Sequence, residues 1–143
     1  MKTVREILKT KDGGIIAISP EETVFAAIKL MSEKNVGALA VMEGDKLVGI
    51  LSERDYARKV ILAGRSSKDT RVREIMTGKV IVVTPATTTQ ECMGLMTEKY
   101  LRHLPVIEND RVVGMMSIGD VVKEIIAEQH FTIDNLQKYI MHG

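Results

Sequence analysis

The sequence predicts an α+β fold in which two tandem β-α-β-β-α repeats pack about a pseudo-twofold axis. The first observation is a duplication: residues 16–55 align without a gap on residues 81–120, and about a third of the aligned positions are identical. The second is that VREIL at 4–8 recurs as VREIM at 72–76. The third is that short apolar runs alternate with segments of helical period in both copies. Because each half is too small to bury a core that is stable by itself, we expect the two halves to form one compact unit.

Composition excludes several classes of protein. Hydrophobic residues make up 45% of the 143 residues and aromatic residues only 3%, so aliphatic side chains and methionine must fill the core. Lys plus Arg total 20 against 19 Asp plus Glu, which argues against a broad basic face for nucleic acid. The single cysteine, Cys92, excludes an internal disulfide, and no Cys/His set has zinc spacing. The charged N-terminal stretch has no apolar signal segment and no apolar run could span a bilayer, so we expect a soluble, cytoplasmic protein.

Each repeat begins with the same series of elements. The VREI segment predicts a short helix, followed by a short strand at 15–18 or 80–83. Ser19-Pro20 and Thr84-Pro85 then predict a hydroxyl N-cap with proline at the first helical position. The next helix places side chains at i, i+3, i+4 and i+7 on one face. These are Val24, Ala27, Ile28 and Met31 in the first repeat, and Thr89, Cys92, Met93 and Met96 in the second.

A hairpin and a second helix complete each repeat. The hairpin strands are predicted at 38–42, 46–51, 104–107 and 111–116. Ser52 and Ser117 then cap the second helix, which in the first repeat should run to about Ala63 and stop at Gly64.

These patterns divide the chain into a first repeat at 1–68, a second at 69–128 and a C-terminal segment at 129–143. In the last segment, Ile133 and Leu136 stand at helical spacing, which predicts an amphipathic tail helix. Its apolar face packs either on its own domain or on a second subunit, and the pattern favours neither.

The motif V-G-x-x-S-x-x-D occurs twice, as VGILSERD at 48–55 and VGMMSIGD at 113–120. A serine at the helix N-cap and an aspartate three residues later form a capping box, which alone could explain the motif. The alternative is a ligand site. The free N–H groups of the helix start and the serine hydroxyl suit a phosphate, and the carboxylate suits the two hydroxyls of a ribose. Gly49 and Gly114 would let a flat ring approach the strand, so the motif favours an adenosine-type nucleotide.

The duplicated unit, the Ser/Thr-Pro dipeptides, the LPV segment at 104–106 and the two motifs together resemble the CBS-domain pair, named after cystathionine β-synthase. The resemblance covers about residues 4–128 and is greatest to small bacterial or archaeal proteins that consist of the pair and little else. It implies two clefts between the repeats that bind AMP, ADP, ATP, NAD(H) or S-adenosylmethionine, with no catalytic residue and no metal. It also implies a homodimer, a flat disc of four repeats, that regulates an unidentified partner protein.

Carried over by position, each cleft draws residues from both repeats. The first cleft would combine Ser52, Asp55, Thr84, Arg102 and His103, and the second would combine Ser19, Gly37, Ala38, Ser117 and Asp120. Arg54, near the start of the Ser52 helix, would add a charge to the first cleft. The two aspartates would hold ribose, and the serine and threonine hydroxyls would lie near phosphate.

The charges of the two clefts differ. The pair Arg102-His103 carries the charge for a phosphate, whereas its counterpart Gly37-Ala38 carries none. The first cleft should therefore prefer the more phosphorylated nucleotide, and the second should bind more weakly, take a less charged ligand or stay empty. Lys11 is interpreted as a solvated linker charge.

Three functions remain open. The first is a sensor that binds an adenosine-type ligand. The second is a nucleotide-processing enzyme with Asp55 or His103 as acid or base, although no nucleophile–base pair accompanies them. The third is an assembly protein whose helix faces bind a partner, with any ligand structural.

Overall fold

Helices and strands follow one another in the same order in the two repeats, except that the second repeat has no first strand. The computed structural model describes residues 2–11 and 14–142. The first repeat contains α1 (Val4–Leu8), β1 (Ala17–Ile18), α2 (Val24–Lys34), β2 (Ala38–Glu43), β3 (Lys46–Ser52) and α3 (Glu53–Tyr56), which continues as a π-helical turn (Ala57–Ile61). The second contains α4 (Val72–Ile75), α5 (Thr89–Lys99), β4 (His103–Glu108), β5 (Arg111–Ser117) and α6 (Ile118–His142). The predicted fold class is confirmed.

The first strand of each repeat is shorter than predicted. β1 pairs in parallel with β2, which pairs antiparallel with β3, and β4 pairs antiparallel with β5. The predicted strand at 80–83 is wrong as a strand, because only Val83 forms a bridge, to Val106. In the first repeat the N–H of Ala40 donates to the carbonyl of Ile16, but the equivalent residue of the second repeat is Pro105, which has no N–H.

The predicted N-caps of the first helix in each repeat are also wrong. Thr23 caps α2 by accepting from the N–H of Ala26, and Thr88 caps α5 in a capping box with Glu91. Ser19 and Thr84 lie four residues earlier, in turns that precede the helices. The helical period of the apolar face begins only after Thr23 and Thr88, at Val24 and Thr89.

The first helix of each repeat packs into the core of the other repeat. α1 is buried against the second-repeat core around Leu104, and α4 is buried against the first-repeat core around Leu39. The exchanged side chains are Val4, Ile7, Val72 and Ile75. Full burial of one such side chain contributes about 1.5–3 kcal/mol, so the exchange ties the two repeats together.

The tail is not a separate helix. It continues α6 without a break from Ile118, and every side chain described from 129 to 141 is exposed. The described side chains of the tail therefore form no part of the hydrophobic core of their own chain. Among the described residues, no helix is both long and apolar enough to cross a membrane.

Candidate functional site

Two clefts open between the repeats, back to back, and share Gly37 and His103 as a common wall. We name them the Asp55 cleft, of about 470 Å³, and the Asp120 cleft, of about 340 Å³. Both volumes fall in the range of small-molecule sites, about 300–1,000 Å³.

In the Asp55 cleft, the carboxylate stands at the start of α3 in a complete capping box. The N–H and Oγ of Ser52 donate to Oδ2 of Asp55 at 3.0 and 3.1 Å, and the N–H of Asp55 donates back to Ser52 Oγ at 3.1 Å. The predicted cap at Ser52 is confirmed. It fixes the carboxylate of Asp55 with only Oδ1 turned to other partners.

The other carboxylate oxygen of Asp55 is held by a lysine. Lys59 Nζ lies 3.1 Å from Asp55 Oδ1 and also donates to the carbonyl of Ile75 at 2.9 Å. Thr77 Oγ1 lies at 3.5 Å from the same oxygen, and its backbone pairs with Ile50 of β3. The segment after α4 therefore forms one wall of the Asp55 cleft.

The Asp120 cleft repeats this geometry with a different lysine. The N–H of Ser117 donates to Oδ2 of Asp120 at 2.8 Å, and the N–H of Asp120 donates to Ser117 Oγ at 3.2 Å. Lys11 Nζ lies 2.8 Å from Oδ2 and donates to the carbonyl of Met115 at 2.7 Å. Burial alone would raise the pKa of Asp120, but the hydrogen bonds from Lys11 and Ser117 outweigh it and hold the pKa below its usual value.

His103 separates the two clefts at the start of β4. A Cβ at Gly37 would lie 3.4 Å from the imidazole Cε1 and Nε2 and 2.9 Å from Glu53 Oε1, so glycine leaves room for both side chains. Burial lowers the pKa of His103, and the charge of Lys11 lowers it further, while Asp120 opposes this change. The imidazole is therefore neutral at pH 7.

The structure brings most of the predicted residues together. The Asp55 cleft is lined by Ser52, Arg54, Asp55, Arg102 and His103, and the Asp120 cleft by Gly37, Ala38, Ser117 and Asp120. Ser19 and Thr84 line neither cleft. Ser19 Oγ accepts from the N–H of Glu21 at 3.2 Å, and Thr84 faces Thr87. Their assignment to phosphate stays a prediction.

Sequence reasoning missed both lysines. The interpretation of Lys11 as a solvated linker charge is wrong, because it pairs with a carboxylate 109 residues away and lines the Asp120 cleft. No local pattern could identify such a pair. Lys59 stands four residues after Asp55 on the same helical segment, and this i,i+4 spacing was a usable signal.

The two motif glycines have a structural explanation. A Cβ at Gly49 would lie 2.7 Å from Met76 Sδ and 3.0 Å from the carbonyl of Thr77, and one at Gly114 would lie 2.7 Å from Leu8 Cδ2. The space at both strands is therefore occupied by the segments that contain or follow the exchanged helices. The interpretation that the glycines admit a flat ring is wrong for Gly49, which does not line its cleft.

Comparison with known proteins agrees with this architecture. The family model of the CBS domain matches residues 4–61 and 72–127. The chain belongs to the CBS-domain family. Proteins of this family are generally regulatory, and this CBS pair is a regulatory module.

Relatives cover nearly the whole pair. It is 43% identical to the mitochondrial CBS domain-containing protein CBSX3 of Arabidopsis thaliana, over 99% of this chain and 73% of that protein. It is 31% identical to the CBS domain-containing protein YhcV of Bacillus subtilis, over 85% of this chain and 84% of that protein. A solved structure of a protein with CBS domains from Burkholderia ambifaria is 53% identical, with a TM-score of 0.86 over 90% of this chain and 96% of that chain.

Among the residues that the structure describes, no group of three or more His, Cys, Asp or Glu side chains could hold a metal ion. Cys92 is buried in the second-repeat core, and burial raises the pKa of its thiol, which disfavours the reactive thiolate.

Proposed function

We propose that this CBS pair is a sensor that binds an adenosine-type ligand, with the Asp55 cleft as the principal site. The ligand class comprises AMP, ADP, ATP and NAD(H), with S-adenosylmethionine as a further member. One observation carries the proposal: a fixed carboxylate from the first repeat faces Arg102 and His103 of the second across one cleft.

The carboxylate of Asp55 would bind the ribose. Its side chain is only 13% exposed and its Oδ2 is committed to the capping box, which leaves Oδ1 for a ligand. A ribose diol would take the place of Lys59 and Thr77 on Oδ1 through charge-assisted hydrogen bonds. Lys59, once displaced, would become available to a phosphate.

The cations at the other side of the cleft would bind the phosphates. Arg102 offers a planar fork of donors that matches phosphate oxygens, and His103 adds a second donor. Arg54 stands at the start of α3 and is held near the second repeat by donating to the carbonyl of Tyr100 at 3.2 Å. The apolar lining from Ile50 suits a base between these polar ends.

Regulation would follow from the position of the cleft between the repeats. A ligand that contacts both repeats favours the relative orientation in which both sets of contacts form, and a partner protein would detect that orientation. A homodimer in the form of a four-repeat disc belongs to the same proposal. The cleft holds groups suited to binding, so no turnover of the ligand is expected.

The test is thermal unfolding with AMP, ADP, ATP, NAD, NADH and S-adenosylmethionine, each added at a large excess. A ligand present at 100 times its Kd stabilises the folded form by about 2.7 kcal/mol, which raises the Tm by several degrees. In Asp55→Asn the shift should disappear, because the loss of charge weakens the bonds to ribose.

A matched control separates ligand binding from helix capping. Glu91 completes the equivalent capping box of α5 outside both clefts, with Thr88 Oγ1 donating to it at 3.0 Å. Glu91→Gln should lower the basal Tm much as Asp55→Asn does but leave the ligand shift intact. If no ligand shifts the wild type, the sensor proposal is wrong and the assembly role becomes the leading function.

A further inference from the structure

α6 carries a largely apolar stripe with coiled-coil spacing along most of its length. Positions separated alternately by four and three residues form a continuous seam. The seam comprises Val122, Ile126, Gln129, Ile133, Leu136 and Ile140. In heptad terms, the three isoleucines occupy a positions and the other three residues occupy d positions.

All six seam side chains are exposed to solvent in the part of the chain that the structure describes. Val122 is 40% exposed, Ile133 51% and Ile140 76%, so exposure increases away from the globular body. α6 contains 25 residues, about 37 Å of helix, and its second half extends beyond the packed core. Because most helical stability in proteins comes from packing of an amphipathic face, a partner on the seam would stabilise the projecting part.

We propose that this seam pairs with the same seam of a second copy of this chain, in a parallel two-stranded coiled coil. Ile at a positions with Leu at a d position favours two strands over three or four. A two-fold axis along the coil would make the interface self-complementary. This interface would be additional to any contact between the disc-forming helix faces.

Gln129 determines the direction and register of the pair. In a parallel arrangement its side-chain amide faces the amide of Gln129 in the second chain, so each amide can donate to the other. In an antiparallel arrangement centred on the same seam, Gln129 would face Ile133, and a buried amide without a partner is costly. The one polar residue in the seam therefore favours the parallel register.

The charges beside the seam do not oppose self-association. In the parallel register, g position Thr132 faces e position Gln137 of the copy, and Ile125 faces His130 of the copy. The acidic side chain of Asp134 lies at a b position, away from the seam. No like-charged pair of carboxylates or ammonium groups is therefore brought together across these positions.

Cysteine cross-linking of the full chain tests the proposal. Leu136→Cys places a thiol at a seam position, while Asn135→Cys and Lys138→Cys place matched thiols on the outer face of the same turn. The native thiol of Cys92 is buried and does not compete. In the parallel coil, Leu136→Cys should form a covalent dimer under mild oxidation about tenfold faster than either control, because its thiol faces the same thiol of the second chain.

A second substitution distinguishes the seam from other dimer contacts. Ile133→Glu in the Leu136→Cys background should abolish the rate advantage, whereas Asn135→Glu in that background should leave it intact. Equal cross-linking of all three single-cysteine variants would overturn the proposal, as would a wild type that sediments as a monomer at tens of micromolar. Preferential pairing of residue 136 with a cysteine at 126 would overturn the parallel register.

Discussion

The Asp55 and Asp120 clefts share one capping arrangement but differ in the cations that surround it. In both, a serine N-cap holds an aspartate at N3 of the helix, and a lysine pairs with that aspartate. Lys59 belongs to the same helical segment as Asp55, whereas Lys11 reaches Asp120 from the far end of the chain. The two repeats therefore share the serine and aspartate of the cap, whereas the lysine that pairs with the aspartate comes from a different element in each.

The two clefts differ less in charge than the sequence predicted. Arg102 lines only the Asp55 cleft, but His103 lines both, and Lys11 adds a cation to the Asp120 cleft. The Asp55 cleft is still the larger and the better supplied with arginine. We therefore retain the prediction that it prefers the more phosphorylated ligand, and that the Asp120 cleft takes a less charged one.

Replacement of Arg102 should have the largest effect on this comparison. A hydrogen bond to a charged group contributes about 1.5–3 kcal/mol, so Arg102→Met should weaken ADP or ATP binding about 10- to 100-fold. Adenosine, which has no phosphate, should bind the variant as it binds the wild type. Titration calorimetry with both compounds measures the two affinities.

Arg111→Met serves as the control, because Arg111 is exposed at the hairpin turn and lines neither cleft. An equal loss of adenosine and ADP binding in Arg102→Met would mean that the arginine supports the cleft wall instead of binding phosphate. Unchanged ADP binding would place the principal site in the Asp120 cleft and reverse the comparison.

Local patterns allowed much of this arrangement to be predicted. The capping boxes of Ser52 and Ser117 depend on residues three apart, and the hairpins depend on alternation and turn residues. The resemblance to the CBS-domain pair then placed Arg102 and His103 in one cleft with Asp55, and both residues line that cleft. The caps and hairpins depend on short spans of sequence, whereas the composition of the cleft depended on the family.

Features that depend on distant neighbours could not be predicted in the same way. The pairing of Lys11 with Asp120 and the exchange of α1 and α4 between the cores involve segments far apart in sequence. The loss of the strand at 80–83 depends on Pro105 in the neighbouring strand, which removes a donor from the ladder. In each case the deciding group lies outside the pattern from which the element was predicted.

The pH dependence of binding should distinguish the role of His103 from that of the arginine. The pKa of His103 is lowered chiefly by burial, so the free protein carries a neutral imidazole at pH 7. A bound phosphate raises that pKa, and between the two pKa values the complex holds a proton that the free protein lacks. Anion affinity should therefore rise as the pH falls below neutral and level off below the pKa of the free protein.

Calorimetry with ADP from pH 8 to pH 5 measures this effect, with His103→Gln as the reference. The terminal phosphate itself titrates near a pKa of about 6, so only the difference between wild type and variant reports on the imidazole. The expected difference is up to about tenfold in affinity. Identical profiles would show that no phosphate lies near the shared wall of the two clefts.

The smallest expected effect comes from removing the lysine that pairs with either aspartate. Lys11→Met should lower the free energy of unfolding by about 0.5–1 kcal/mol at pH 7, as for a partly exposed ion pair. Lys59→Met should cost less, since the side chain of Lys59 is 45% exposed against 34% for Lys11, and its contact is longer, 3.1 against 2.8 Å. Urea unfolding of the three proteins measures both differences.

Unfolding at acid pH distinguishes the ion pair between Lys11 and Asp120 from the hydrogen bond that Lys11 donates to the Met115 carbonyl. The pKa of Asp120 is lowered in the folded state, so its contribution is present above its unfolded pKa, near 4, and is lost as the pH falls through the folded value. The gap between wild type and Lys11→Met should therefore be constant from pH 8 to pH 5 and close below pH 4. A gap that persists at pH 3 would assign the effect to the hydrogen bond with the Met115 carbonyl, which does not titrate. The two aspartates would then differ in geometry alone, and the asymmetry of the clefts would rest on Arg102.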